Sequence, residues 1–144
     1  MKLWKEFSSI MIMAFMLGSL SSCLQKPNEL TGTDWALVAL DGNELIPGTS
    51  ITLQFSEEHL GGQMDCNGYG GTPNSGGYQI GNKGQFSLGE ILAVTVQLCS
   101  EPEGIMEQEN AYIEALMSVV HYRVSADLLV LDNEDGETLL VFEK

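Results

Sequence analysis

Apart from its carboxylates, this chain of 144 residues carries few reactive side chains: three cysteines, two histidines and 20 aspartates and glutamates. A thiolate nucleophile needs a free cysteine with a base beside it. Only His59 and His121 could serve, and oxidation of Cys66 with Cys99 would remove both thiols at once. A zinc site needs three or four cysteine, histidine or carboxylate ligands at fixed geometry, which two scattered histidines do not suggest. No Gly-x-Ser-x-Gly elbow occurs, and neither Ser75 nor Ser125 stands beside a histidine in sequence. Paired carboxylates could perform glycosidase chemistry, but no motif selects one pair among so many. Asp132-Asn-Glu-Asp-Gly136 resembles a calcium loop only in composition, because its glycine falls fifth rather than sixth and strand patterns flank it. The run Cys66-Asn67-Gly68-Tyr69-Gly70-Gly71 is rich in glycine, yet it has no phosphate-binding lysine and no helix pattern behind it. Met106 and Met117 fit helical core filling better than a soft-metal site. The expectation is no catalytic residue, no metal and no cofactor.

Cys23 has a different prospect. Lys2 and Lys5 precede the apolar stretch Ile10 to Leu20, and Leu20-Ser21-Ser22-Cys23 follows it. A positive start, a short apolar core and small residues before a cut make a secretory signal. A spanning helix would need roughly 20 apolar residues, about twice what is here. The run resembles the bacterial lipobox, whose cysteine is acylated and becomes the new N-terminus. Residues 1–22 then form a signal peptide, 23–30 the lipidated Cys23 with a polar tether, and 31–144 one domain. Leu24 rather than Asp follows the cysteine, which under enteric-type sorting favours the outer membrane facing the periplasm, with the cell surface as the other address.

Removing Lys2, Lys5 and Glu6 with the signal leaves four basic residues against 19 acidic ones, a formal charge of −15 on 122 residues. Such a surface repels phosphate backbones and anionic headgroups, so nucleic acid is excluded as a partner. The acids are spread along the chain amid ordinary apolar content, which describes a solvated folded domain rather than a disordered tail. With Cys23 acylated, Cys66 and Cys99 remain as an even pair in an exported protein. A bond between them would close a loop of about 34 residues and contribute roughly 3–4 kcal/mol. Two separate buried thiols are the alternative.

The elements that would position these residues are mostly strands. Trp35–Leu40 is a buried strand candidate, and Ser50–Phe55 alternates so that Ile51, Leu53 and Phe55 share a face. His59–Gly84 reads as turns between short strands. Gln85–Leu88 and Ile91–Leu98 are extended and β-branched. One helix is predicted near 103–120, opened by Pro102 and acids, with Ile105, Tyr112, Leu116 and Val119 at helical spacing. Tyr122–Ser125, Leu128–Leu131 and Thr138–Phe142 form a closing meander, with Asp135-Gly136 as the last turn. The fold class expected is α+β, mostly antiparallel sheet, curved or partly barrel-like, with one main helix.

These segments together resemble the META domain, the module of HslJ-like envelope proteins, from about Thr31 to Phe142. The resemblance rests on Cys66-Asn67-Gly68-Tyr69-Gly70-Gly71, on Thr95-Val-Gln-Leu-Cys99, on Glu109 near the start of the helix, and on the final strands. It implies that Cys66, Asn67, Tyr69, Gly71, Thr95, Cys99 and Glu109 are the family's motif positions, and it implies no established enzymatic activity. One departure is Asp65, where the family usually has glycine. On the residues themselves, Asn67 and Thr95 suit structural roles around a Cys66–Cys99 crossing point, with a ligand pocket walled by Tyr69 and Tyr78 as the sharper reading.

The sequence thus predicts a non-catalytic, lipid-anchored envelope protein, a binding or envelope-maintenance module acting under stress. Its partners would be the membrane, through the anchor, and another envelope protein. A small-ligand or cation-binding periplasmic protein is the alternative, and a hydrolase the third. Oligomeric state is not legible.

Overall fold

The computed structural model describes residues 28–57, 59–71, 77–89 and 92–144, and Cys23 with its signal lies outside them. Eight strands form one antiparallel sheet: β1 (Asp34–Leu40), β2 (Thr52–Phe55), β3 (Leu60–Gln63), β4 (Gly68–Gly70), β7 (Ala93–Val94), β8 (His121–Val124), β9 (Leu128–Asp132) and β10 (Thr138–Glu143). Their order is β7-β4-β3-β2-β1-β10-β9-β8, so the sheet is open, with β7 and β8 at its edges. A separate hairpin, β5 (Tyr78–Ile80) with β6 (Phe86–Leu88), reaches β8 through the Gln85–His121 bridge and a 2.8 Å bond from Phe86 N to Val120 O. One helix, α1 (Ile105–Met117), packs on β1 and β10. The mostly antiparallel α+β fold with one helix is as expected.

Alternation decides which side chains enter the core. Ile51, Leu53 and Phe55 are all buried on one face of the β2 segment. In β1 the buried residues are Trp35, Leu37 and Leu40, the last two an odd number apart. A register shift against β10 between Leu37 and Ala39 allows this, because one extra residue in the strand restores the inward face. Leu129 and Leu131 of β9 and Leu140 and Phe142 of β10 complete the apolar floor.

The helix is shorter than the predicted 103–120. Gly104 sits at φ +85 ahead of its first turn, and Ser118 closes its end by donating to Ala115 O. Val119 is buried as foreseen, but it belongs to the connection into β8 rather than to the helix. Ile105, Glu109, Tyr112, Ala115 and Leu116 form the inward stripe, with a carboxylate among the apolar side chains. Met117 is exposed, so it does not fill the core as its helical position suggested.

A further departure concerns an extended segment. Among the described residues of Ile91–Leu98 only Ala93–Val94 pair as a strand, and Val96 and Leu98 are turned to solvent. Ahead of residue 31, Leu30 is buried, and Asn28 and Glu29 hydrogen-bond to Tyr78 and Tyr122. No helix among the described residues is long and apolar enough to cross a membrane.

Candidate functional site

The motif residues meet where the turn between β3 and β4 faces α1 and the segment after β7. Cys66 and Cys99 are joined, with Cα atoms 6.0 Å apart. The bond ties that turn to the chain just ahead of the helix, and it removes both thiols from nucleophilic chemistry.

Asn67 is the centre of this corner. Its Oδ1 accepts from Thr95 Oγ1 at 3.0 Å and from Gln97 N at 2.8 Å. Its Nδ2 donates to Glu109 Oε2 at 2.8 Å and to Gln97 O at 3.1 Å. The amide side chain thus makes all four of its hydrogen bonds. Gln97 receives from this side chain the pair of bonds that a neighbouring strand would otherwise supply. That substitution explains why regular pairing stops after Val94. Thr95 continues the same seam, donating its amide to Gly68 O and accepting from Gly68 N on its hydroxyl.

Glu109, one turn into α1, is the buried carboxyl side chain of this corner, 3 % exposed. Its Oε1 accepts from Cys66 N at 2.7 Å and Asn67 N at 3.1 Å, and its Oε2 from Asn67 Nδ2. Backbone amides of a turn are donors that no strand satisfies, and a buried carboxylate is the strongest acceptor that can meet them. Asp65, the departure from the family pattern, is exposed and accepts from Ser50 N at 2.6 Å, which fastens the turn to the entry of β2.

Tyr69 and Tyr112 meet edge to face behind this corner, ring centroids 5.3 Å apart. Their hydroxyls are 2.5 Å apart, and Tyr69 Oη donates to Thr52 O at 2.7 Å. A carbonyl can only accept, so Tyr112 is the donor to Tyr69. Burial pushes both phenols above their ordinary pKa. Gly62 makes room for this: a Cβ there would stand 1.9 Å from Thr52 O and 2.9 Å from Tyr69 Oη. Gly71, the remaining motif position, joins β3 through its amide to Leu60 O at 2.9 Å.

The other candidates are dispersed. His59 lies exposed in the turn before β3, and His121 exposed on β8. No group of three metal-ligating side chains occurs among the described residues. Asn133–Glu137 is a hairpin turn: Asn133 Oδ1 accepts from Glu137 N, and Gly136 takes φ +80. Tyr78 is in the core, its hydroxyl donating to Ser56 O at 2.8 Å, so it walls no pocket beside Cys66. Open grooves among the described residues include one of about 540 Å³ over β2–β4, floored by Gly61, Gly62, Gly70 and Gly71, and one of about 590 Å³ beside the β5–β6 hairpin and His121. Among the described residues, no buried side-chain nitrogen or oxygen lacks a hydrogen-bond partner.

Sequence reasoning missed the ion pair of Arg123 with Asp132, a two-bond contact at 2.9 and 3.0 Å to which Thr138 Oγ1 adds a bond at 2.8 Å. The guanidinium beside it holds the Asp132 carboxyl below its usual pKa. Opposite charges nine residues apart on paired strands were the available signal.

The sequence model of the family described as META domain matches residues 28–144. Two NMR structures resemble the fold. One shares 21% identity with a TM-score of 0.60, covering 82% of this chain and 93% of its own, and shows the fold alone. The other, of a protein from Burkholderia xenovorans, shares 29% identity with a TM-score of 0.59, covering 79% of this chain and 82% of its own. No curated protein matches the sequence.

Proposed function

The chain belongs to the META domain family, and from that premise we propose that it is a non-catalytic, lipid-anchored envelope protein working as a binding or envelope-maintenance module. The META domain is not a known enzyme family. The observation that carries the reading is the expenditure of the motif: Asn67, Thr95, Glu109, Tyr69 and the Cys66–Cys99 bond satisfy one another inside the fold. Catalysis needs a titratable group free to meet a substrate, and the polar side chains of these positions are turned onto one another and onto the backbone.

Anchoring rests on Leu20-Ser21-Ser22-Cys23, and under enteric-type sorting Leu24 favours the outer membrane over the inner. The test is labelling of growing cells with an alkyne palmitate analogue, comparing the protein with Cys23→Ser, followed by in-cell crosslinking of the labelled form. Label that depends on Cys23 and reproducible capture of one envelope protein support the proposal. Label on the serine variant refutes the anchor. Capture of nothing, together with a ligand-induced rise in melting temperature, moves the reading to small-ligand binding. The glycine-floored groove over β2–β4 is the observation favouring that second reading.

A further inference from the structure

The end of the sheet at β7 is built unlike an ordinary protein edge. Thr95 and Gln97 direct their backbone amides inward, to Gly68 O and Asn67 Oδ1. Alternation then turns the amides and carbonyls of Val94, Val96 and Leu98 outward. The backbone groups of Val96 and Leu98 have no hydrogen-bond partner among the described residues. The two residues are 91% and 90% exposed, and Val94 beside them is 38% exposed. Natural edges are normally blunted with lysine, proline or a bulge, because open edges recruit strands. Val94-Thr-Val-Gln-Leu98 contains no charge and no proline.

The segment is also fixed in place. Asn67 holds Gln97 by both its N–H and its carbonyl, Thr95 is bonded to Gly68, and the disulfide pins Cys99. Binding to it would therefore cost little ordering entropy on this side of the interface. We infer that the Val94–Leu98 edge receives an added β-strand from a partner polypeptide, an extended segment with apolar side chains at alternate positions and lysine or arginine at its ends. The inference rests on the binding-module reading but not on the anchor.

Charge selects this occupant. Glu101 and Glu103 stand exposed just beyond the edge, on a chain of formal charge −14. A second copy would bring the same acidity to the seam. A bilayer would leave the free amides and carbonyls of Val96 and Leu98 without partners as it buried their side chains. A basic-ended strand answers the backbone, the side chains and the charge together.

The probe is a synthetic peptide of alternating valine and threonine between paired lysines, added to the purified intact protein, with amide hydrogen exchange as the readout. Exchange should slow at Val94, Val96 and Leu98, and binding should weaken with salt. Val96→Pro removes one outward amide without touching the Thr95 and Gln97 bonds, and should cost about tenfold in affinity. Leu98→Lys leaves the backbone whole and should also cost about tenfold, through lost apolar contact and repulsion of the lysines. Unchanged exchange at these three amides, undiminished binding by Leu98→Lys, or equal binding of a glutamate-ended peptide would overturn the inference. So would protection of the same amides by self-association in sedimentation. Binding to phosphatidylcholine vesicles that Leu98→Lys abolishes would overturn it too, assigning the edge to lipid. Peptide protection confined to another surface would overturn the edge while leaving the binding-module reading intact.

Discussion

Asn67 and Glu109, 42 residues apart in sequence, share a 2.8 Å hydrogen bond inside the protein, each only 3 % exposed. The carboxylate also receives the amides of Cys66 and Asn67, so one helix side chain closes a turn that the sheet leaves open. Polar groups in such a place are costly to orphan and rewarding to match.

Glu109→Gln should therefore lower stability by about 1–3 kcal/mol, because an amide nitrogen replaces one of the two acceptors and faces a donor. Asn67→Ala, which orphans both Gln97 backbone groups, should lower it by a similar amount or more. Urea unfolding followed by circular dichroism measures both. A change under about 0.5 kcal/mol for both variants would show that water replaces the lost bonds freely.

Reduction of the Cys66–Cys99 bond should cost about 2–4 kcal/mol and add two hydrogens to the intact mass. Cys66 contributes its amide to Glu109 as well as its sulfur to the bond. The losses from reduction and from Glu109→Gln should then fall short of additivity in a double-mutant cycle.

Gly62→Ala tests the close approach of β2, β3 and Tyr69. The new methyl would stand within van der Waals radii of Thr52 O, so strands must separate or the Tyr69 hydroxyl must lose its acceptor. A loss of about 3 kcal/mol or more is expected. Gly136→Ala, with open space around its Cβ but φ +80, should cost less.

Tyrosines set the alkaline limit. Burial and the Glu29 carboxylate push Tyr122 up to about 12, and Tyr69 and Tyr112 are raised by burial. A phenol whose folded pKa exceeds its unfolded value near 10 favours the folded state fully below that value. As pH rises past 10 the unfolded chain ionises first, and the contribution is gone once pH passes the folded value. Tyrosinate absorbance should therefore rise together with loss of ellipticity. Free ionisation of Tyr69, Tyr112 and Tyr122 near pH 10 in the folded protein would contradict this.

At the acid end Asp132 has the opposite sign. Its carboxyl, held below the usual 3.8 by Arg123, stabilises the fold above that value and loses its effect as pH falls through the depressed one. Asp132→Asn should flatten the stability profile below about pH 4 and leave its shape near neutrality unchanged.

Much of this was legible in the chain. Ile51, Leu53 and Phe55 announced their face by strict alternation, and Thr138–Phe142 its place as a closing strand. Cysteine counting pairs Cys66 with Cys99 but leaves two separate thiols open, and it is the structure that joins them. Glu109 was singled out through family resemblance, but not its task, because charge in a helix pattern normally signals a wet face and only tertiary placement reverses that. The segment Ile91–Leu98 departs from its sequence pattern for a related reason. Its β-branched residues say strand, yet Asn67 supplies a side-chain substitute for the partner, so extension persists where pairing ends. The Tyr69–Tyr112 contact left no local trace, since neither residue's spacing reveals the other.

The first described residues have a mechanical meaning. Leu30 is buried, Asn28 bonds to Tyr78 of β5, and Glu29 takes the Tyr122 hydroxyl of β8. A force applied ahead of Asn28 would meet these side chains before it reached Asp34 and the first strand. It would be divided between a hairpin and a sheet edge, rather than unzipping β1 from its neighbours one hydrogen bond at a time.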